Sequence, residues 1–225
     1  MTVLEGRIAD VSLSGITITI PYHPDCVSKE WDRVLVEIPD GRHLTQKQRK
    51  MARALVGYIG DACGYLTGRE KDQLHQELKK QFAHTTDGEV PEDFSLATAD
   101  VTTGRRYIDF LVAMCIEDSV PTKEPLVEYA QDIAGYVYRC LLHRRCAICG
   151  KRADLHHVDR VGMGRDRHDM CHIGMACLPL CRKHHGEAHQ HGDAALMEQY
   201  HLEPVAIDER ISEIYQLEWR GNHDR

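Results

Sequence analysis

Six of the nine cysteines and nine of the 15 histidines in this chain fall between residues 140 and 191. Within that stretch Cys146 and Cys149 form a Cys-x2-Cys pair ahead of Gly150, and Cys181 and His184 repeat the x2 spacing some thirty residues later. A glycine turn folds such a pair tightly enough for two ligands to take adjacent corners of a tetrahedron. Two knuckles together supply Cys3His, a closed set suited to a structural zinc ion. The pattern therefore demands that residues 146–149 and 181–184 meet in space, and it dictates the local fold more strictly than any apolar periodicity in the chain.

Composition separates this segment from the rest. The chain is mildly acidic, with 35 Asp and Glu against 28 Lys and Arg and a net charge of −7, the wrong sign for a general nucleic-acid coat. Residues 139–191, however, carry ten bases and five acids, a local +5 that leaves −12 for the remainder. The N-terminus lacks the basic-then-apolar layout of an export signal, and stretches such as LVAMCI (111–116) are too short to span a bilayer. With an odd cysteine count and close histidine partners, these features predict a cytoplasmic, reduced, metal-binding protein with no membrane partner and no disulfide framework. Cys26, Cys63, Cys115 and Cys140 stand in strand or helix context and read as packing residues. Cys171 and Cys177 stay unassigned.

The histidines left over carry the chemistry. His156 and His157 are adjacent in a short strand pattern, ADLHHV, where alternation sends them to opposite sides of the backbone. His185 and His189 lie four apart in HHGEAHQHG, so on a helix both face one way and can grip one ion. His156 would complete a face of three imidazoles with open positions for water and a phosphate oxygen. His157, aimed elsewhere, is left as a base, a task an imidazole's intrinsic pKa suits. Arg160, Arg165, Arg167, Arg182 and Lys183 surround these residues and can neutralise flanking phosphates.

Upstream, the first forty residues read as strands: VLEGRIADV, GITITI and RVLVEI cluster β-branched residues between Gly and Pro turn signals. From Leu44 the period changes to helical, with Thr45 as N-cap. Further helices are expected at about Arg69–Ala83, Thr103–Asp118 and Pro125–Leu142, the last leading into the Cys/His segment, and the domain boundary falls near His143. After His191, AALMEQYHL and IDERISEIYQL are short amphipathic pieces that pack back on the body.

Residues 143–192 resemble the HNH nucleases of the ββα-metal class, in the zinc-stapled form where Cys-x2-Cys precedes the catalytic hairpin and a second knuckle opens the final helix. The resemblance makes His157 the general base, His156, His185 and His189 the ligands of a catalytic Mg2+, Mn2+ or Ni2+ ion, and Cys146, Cys149, Cys181 and His184 the ligands of structural zinc. It departs at the middle Asn of the motif, which orients the base: Ala176 stands there, and His172 is the nearest polar substitute. The loop GMGRDRHDMCHIGM is similar to HNH proteins of temperate phages. Residues of about 30–120, through LTQKQRKMARAL, LKKQF and FSLATADVTTGRRYIDFLVAMCIEDSVP, resemble the phage recombination mediator family typified by the lambda Orf protein. That family implies a homodimer that binds DNA and works with single-stranded DNA-binding protein and a recombinase.

The expected protein is α+β, with a small sheet and helices over 1–142 and a zinc-bound ββα-metal module with a helical extension over 143–225. The function it implies is a metal-dependent endonuclease acting on branched or single-stranded DNA in phage recombination or replication, inside a bacterial host. The alternative is a zinc-stabilised DNA-binding mediator whose nuclease site has decayed, which the missing Asn favours.

Overall fold

A computed structural model describes residues 6–12, 15–20, 42–158 and 172–217. The chain divides into two compact units, residues 1–39 and 40–225. In the first, β1 (Arg7–Ser12) and β2 (Gly15–Thr19) form an antiparallel hairpin, with Ile8 opposite Ile18, Val11 opposite Ile16 and a bulge between Ile8 and Asp10. The strand expected at RVLVEI lies outside the described residues.

The second unit opens on three helices whose starts are written in their caps. Thr45 precedes α1 (Gln46–Ala62): its hydroxyl accepts the Gln48 N–H at 3.2 Å while the Gln48 amide oxygen accepts the Thr45 N–H at 3.1 Å. Thr67 and Glu70 repeat this box at α2 (Gly68–His84), and the Asp100 carboxylate caps α3 (Val101–Glu117) through the Thr103 N–H at 2.8 Å. Leu55, Leu78, Tyr107, Ile108 and Leu111 are fully buried where the three helices meet. Gly104 permits the closest approach: a Cβ there would stand 2.1 Å from a Leu44 side-chain carbon, so any side chain would push α3 off the segment that leads into α1.

His75 of α2 sits in this core only 3 % exposed, with neither ring nitrogen hydrogen-bonded among the described residues. Burial, and then the charges of Arg53 and Lys79, push its pKa down to about 4, against a smaller upward pull from Asp72. The folded chain therefore binds fewer protons here than the unfolded chain between pH 6.5 and 4. The associated stability is complete above the unfolded value and is lost as pH falls towards 4. Between pH 7 and pH 5 this one group should cost about 2 kcal/mol, roughly 4–8 °C in Tm. Melting curves of His75→Leu should fall less steeply than wild type by that amount over this range; parallel pH profiles would show that His75 is not buried neutral.

The expected long helix at 125–142 is two pieces. A 3-10 turn at Leu126–Glu128 precedes α4 (Ile133–Leu142), because the Asp109 carboxylate from α3 accepts the Gln131 N–H at 2.7 Å and Asp132 caps the new helix through the Gly135 N–H at 3.0 Å. The periodicity of Leu126, Tyr129 and Ile133 ran straight through this break. From α4 the chain enters β3 (Asp154–His157), β4 (Ala176–Leu180), α5 (Arg182–His191), α6 (Asp193–Tyr200), β5 (Val205–Ala206) and α7 (Glu209–Tyr215). The three strands form one antiparallel sheet in the order β3-β4-β5, with His156 opposite Leu178 and His157 opposite Cys177. Leu141, Cys146, Leu178, Leu180 and Ile211 continue the same buried cluster that holds Leu55 and Tyr107. The C-terminal amphipathic pieces thus supply two helices of the body, the residues between them supply a sheet edge, and among the described residues no helix is long and apolar enough to cross a membrane.

Candidate metal centres

Between α4 and β3 the backbone closes a tight loop: the Cys146 N–H donates to Lys151 O at 2.7 Å, the Gly150 N–H returns to Cys146 O at 2.8 Å, and Gly150 takes φ +68°, a left-handed conformation that glycine adopts without strain. Cys181 is the N-cap residue of α5, one turn from His184. The four donor atoms of Cys146, Cys149, Cys181 and His184 all lie within 4.8 Å of one another. Sγ of Cys149 and Cys181 are 3.7 Å apart, and His184 Nδ1 is 3.3 Å from Sγ of both Cys146 and Cys181. A zinc tetrahedron has S···S edges of about 3.8 Å and S···N edges of about 3.6 Å, so the cluster can hold the ion almost as it stands. Without an ion, burial pushes the Cys146 thiol up to about 12. Burial also opposes ionisation at Cys181, but the His184 N–H of the helix start, with the thiols of Cys149 and Cys146, outweighs it and lowers this thiol. A nearly closed, largely buried thiol cluster of this kind needs a cation to hold its thiolates.

A second cluster lies on the other side of α5. His185 and His189 face one way from the helix, and His156 reaches them from β3; one donor nitrogen from each lies within 4.8 Å of the others. The His156 ring is 4 % exposed and sits edge-on to His185, with centroids 4.6 Å apart. Burial, then the nearby His156 and His189, lowers the pKa of His185, which favours the neutral form that ligates metal. The set is three imidazole nitrogens with no thiolate, on a half-open surface, and so differs in kind from the closed tetrad.

Asp193 is a neighbour of this cluster that sequence reasoning missed. Its carboxylate is 2.7 Å from His156 Nε2, placed there by Gly192, whose φ of +89° turns α5 into α6. A carboxylate bonded to one ring nitrogen of a histidine fixes the ring, leaves the other nitrogen for a metal and raises its basicity. The only hint in the sequence is an acid directly after a helix-breaking glycine, just past His-x3-His. Asp193→Ala should weaken Mn2+ binding at the three-histidine cluster by roughly 10–100-fold and leave zinc at the cysteines untouched, measured by titration calorimetry on the zinc-loaded protein; an unchanged Mn2+ affinity would remove Asp193 from the site.

His157 occupies the opposite face of β3, outside both clusters. Its Nε2 is 3.0 Å from Nδ1 of His172, which is buried. Ala176, at the position expected for Asn, begins β4 and offers no polar side-chain atom. Arg182 and Lys183 are exposed in the first turn of α5. Arg160, Arg165, Arg167 and Cys171 lie outside the described residues. Cys177 belongs to neither cluster: it is fully buried and its thiol is pushed up to about 12 by burial, as are those of Cys115 and Cys140. Of the upstream bases, Arg53 pairs with Asp72 at 2.8 Å and Arg106 with Glu89 at 2.9 Å.

No curated protein and no solved structure matches the chain. A family model described as "Putative HNHc nuclease" matches residues 22–218, spanning the α1–α4 helices as well as both Cys/His clusters. With most of its length covered by that model, the chain belongs to this HNH nuclease family.

Proposed function

We propose that the chain is a metal-dependent DNA endonuclease in which residues 143–225 cut and residues 1–142 deliver them to branched or single-stranded DNA during phage recombination or replication. The observation that carries the reading is the division of two adjacent strand residues: His156 joins His185 and His189, while His157 points away to His172. Cys146, Cys149, Cys181 and His184 are the structural zinc ligands. His156, His185 and His189 hold the catalytic ion, and three imidazoles favour Mn2+ or Ni2+ over the oxygen-seeking Mg2+. When bound, that ion neutralises charge on the scissile phosphate and on the departing oxygen. His157 Nδ1 takes a proton from water as the water oxygen bonds to phosphorus in line, the P–O3′ bond breaks, and the 3′ oxygen regains a proton from solvent. Arg165, Arg167, Arg182 and Lys183 position the strand through its flanking phosphates.

The test is cleavage of supercoiled plasmid and of synthetic forks, flaps and four-way junctions with Mg2+, Mn2+ or Ni2+, alongside metal analysis. Two ions per chain, with cutting that chelation abolishes, support the enzyme. One tightly held zinc ion, salt-sensitive DNA binding and no cutting on any substrate would instead identify the decayed mediator that Ala176 favours.

A further inference from the structure

The HNH pattern asks for an Asn at 176 and the chain has alanine, yet His157 is not left without a partner. From the contact between His157 Nε2 and His172 Nδ1, 3.0 Å apart, we infer that His172 is the positioning residue of the base, standing where an amide side chain would otherwise act; this rests on the nuclease reading above. For His157 to take a proton at Nδ1, its own proton must sit on Nε2. An acceptor at His172 Nδ1 holds it there, with the His172 proton on Nε2. When His157 becomes an imidazolium, the same bond becomes charge-assisted and strengthens.

The placement of His172 is built into the fold. The Met175 N–H donates to His172 O at 3.1 Å, closing a turn in which Gly174 takes φ +84°. Two further bonds tie that turn to the end of β5: the Gly174 N–H donates to Ile207 O at 2.8 Å and the Ile207 N–H to Met175 O at 2.9 Å. On the other side, the Val158 N–H donates to Ala176 O at 2.9 Å and locks β3 against β4. His157 and His172 are therefore fixed by one ladder and one pinned turn. The rings are tilted at 46° with centroids 5.0 Å apart, so the contact is edge nitrogen to edge nitrogen and not a stack.

Chemistry supplies a clean control. Nδ1 of histidine and Oδ1 of asparagine are the same number of bonds from Cα, so His172→Asn keeps an acceptor in place, whereas His172→Leu keeps the branching and removes it. On plasmid DNA with Mn2+, His172→Leu should lose about 10²-fold in kcat with KM within about twofold and with zinc and Mn2+ content unchanged, while His172→Asn stays within about fivefold of wild type. A Leu variant as fast as wild type, or an Asn variant as slow as Leu, overturns the assignment. Nitrogen-15 NMR of the zinc-loaded chain reads the same point without turnover: His157 should be the Nε2–H tautomer in wild type and in His172→Asn, and a mixture in His172→Leu. If no variant cuts DNA, wild type included, the nuclease reading falls. The tautomer pattern then decides the pairing alone, and an Nδ1–H His157 in wild type overturns it.

Discussion

Cys146→Ser should cost the chain its structural zinc and most of its stability. Cys146 is fully buried, and its Sγ is 3.3 Å from His184 Nδ1, so serine would present a hydroxyl that does not ionise where the tetrad requires an anion. Structural zinc sites bind with about 10–16 kcal/mol of apparent free energy, comparable with the roughly 5–15 kcal/mol net stability of a whole domain. The loss cannot stay local. Ala147 and Ile148 of the knuckle, and Leu178 and Leu180 of β4, belong to the same buried cluster as Leu55 and Tyr107 in the helices. Loss of even about 5 kcal/mol lowers Tm by some 10–20 °C in a chain of this size. Cys177→Ser is the control: it buries an equivalent hydroxyl outside the tetrad, costs about 1–3 kcal/mol and keeps zinc at the wild-type ratio. Elemental analysis and thermal melts of the two variants separate the cases. Equal zinc in Cys146→Ser and wild type, with equal Tm, would remove Cys146 from the metal site.

The tetrad and the three-histidine face are local patterns, which is why they could be read in order along the chain. Cys-x2-Cys, Cys-x2-His and His-x3-His each lie within one turn or one helix, and strand alternation alone separated His156 from His157. Thr45 as N-cap announced the start of α1 in the same way. What escaped the sequence depends on partners far along the chain. The break at Tyr129–Asp132 is made by the Asp109 carboxylate, more than twenty residues away, and no periodicity carries that information. β4 contains Pro179, which normally argues against an inner strand, and its second neighbour is a two-residue strand hidden in an apparently helical tail. Asp193 gains meaning only from the turn that aims it, at Gly192, and the aim of His172 comes from the turn at Gly174 pinned by Ile207. His172 could be named in the sequence as the nearest polar residue to Ala176, but its 3.0 Å contact with His157 depends on a chain that folds back over four residues.

His157→Ala should abolish strand cleavage while leaving both metal centres filled. General bases contribute about 10²–10⁴-fold to such reactions, so turnover on plasmid should fall by at least two orders of magnitude, with DNA affinity and the count of bound ions unchanged. His156→Ala, one residue away, should fail differently. Its ring is buried, supplies one of three nitrogens to the second cluster and holds the Asp193 carboxylate at 2.7 Å. Removing it leaves two imidazoles and a partly buried acid without its partner. The chain should then keep the cysteine-bound zinc, lose the second ion and lose cutting with it. Added Mn2+ in excess should recover part of the activity of His156→Ala, since a weakened site can still be filled by mass action, and none of that of His157→Ala, where the absent group is the proton acceptor. Two neighbouring alanines that respond identically to metal would mean that the strand does not divide the roles of its two histidines, and the assignment of base and ligand would fall with it.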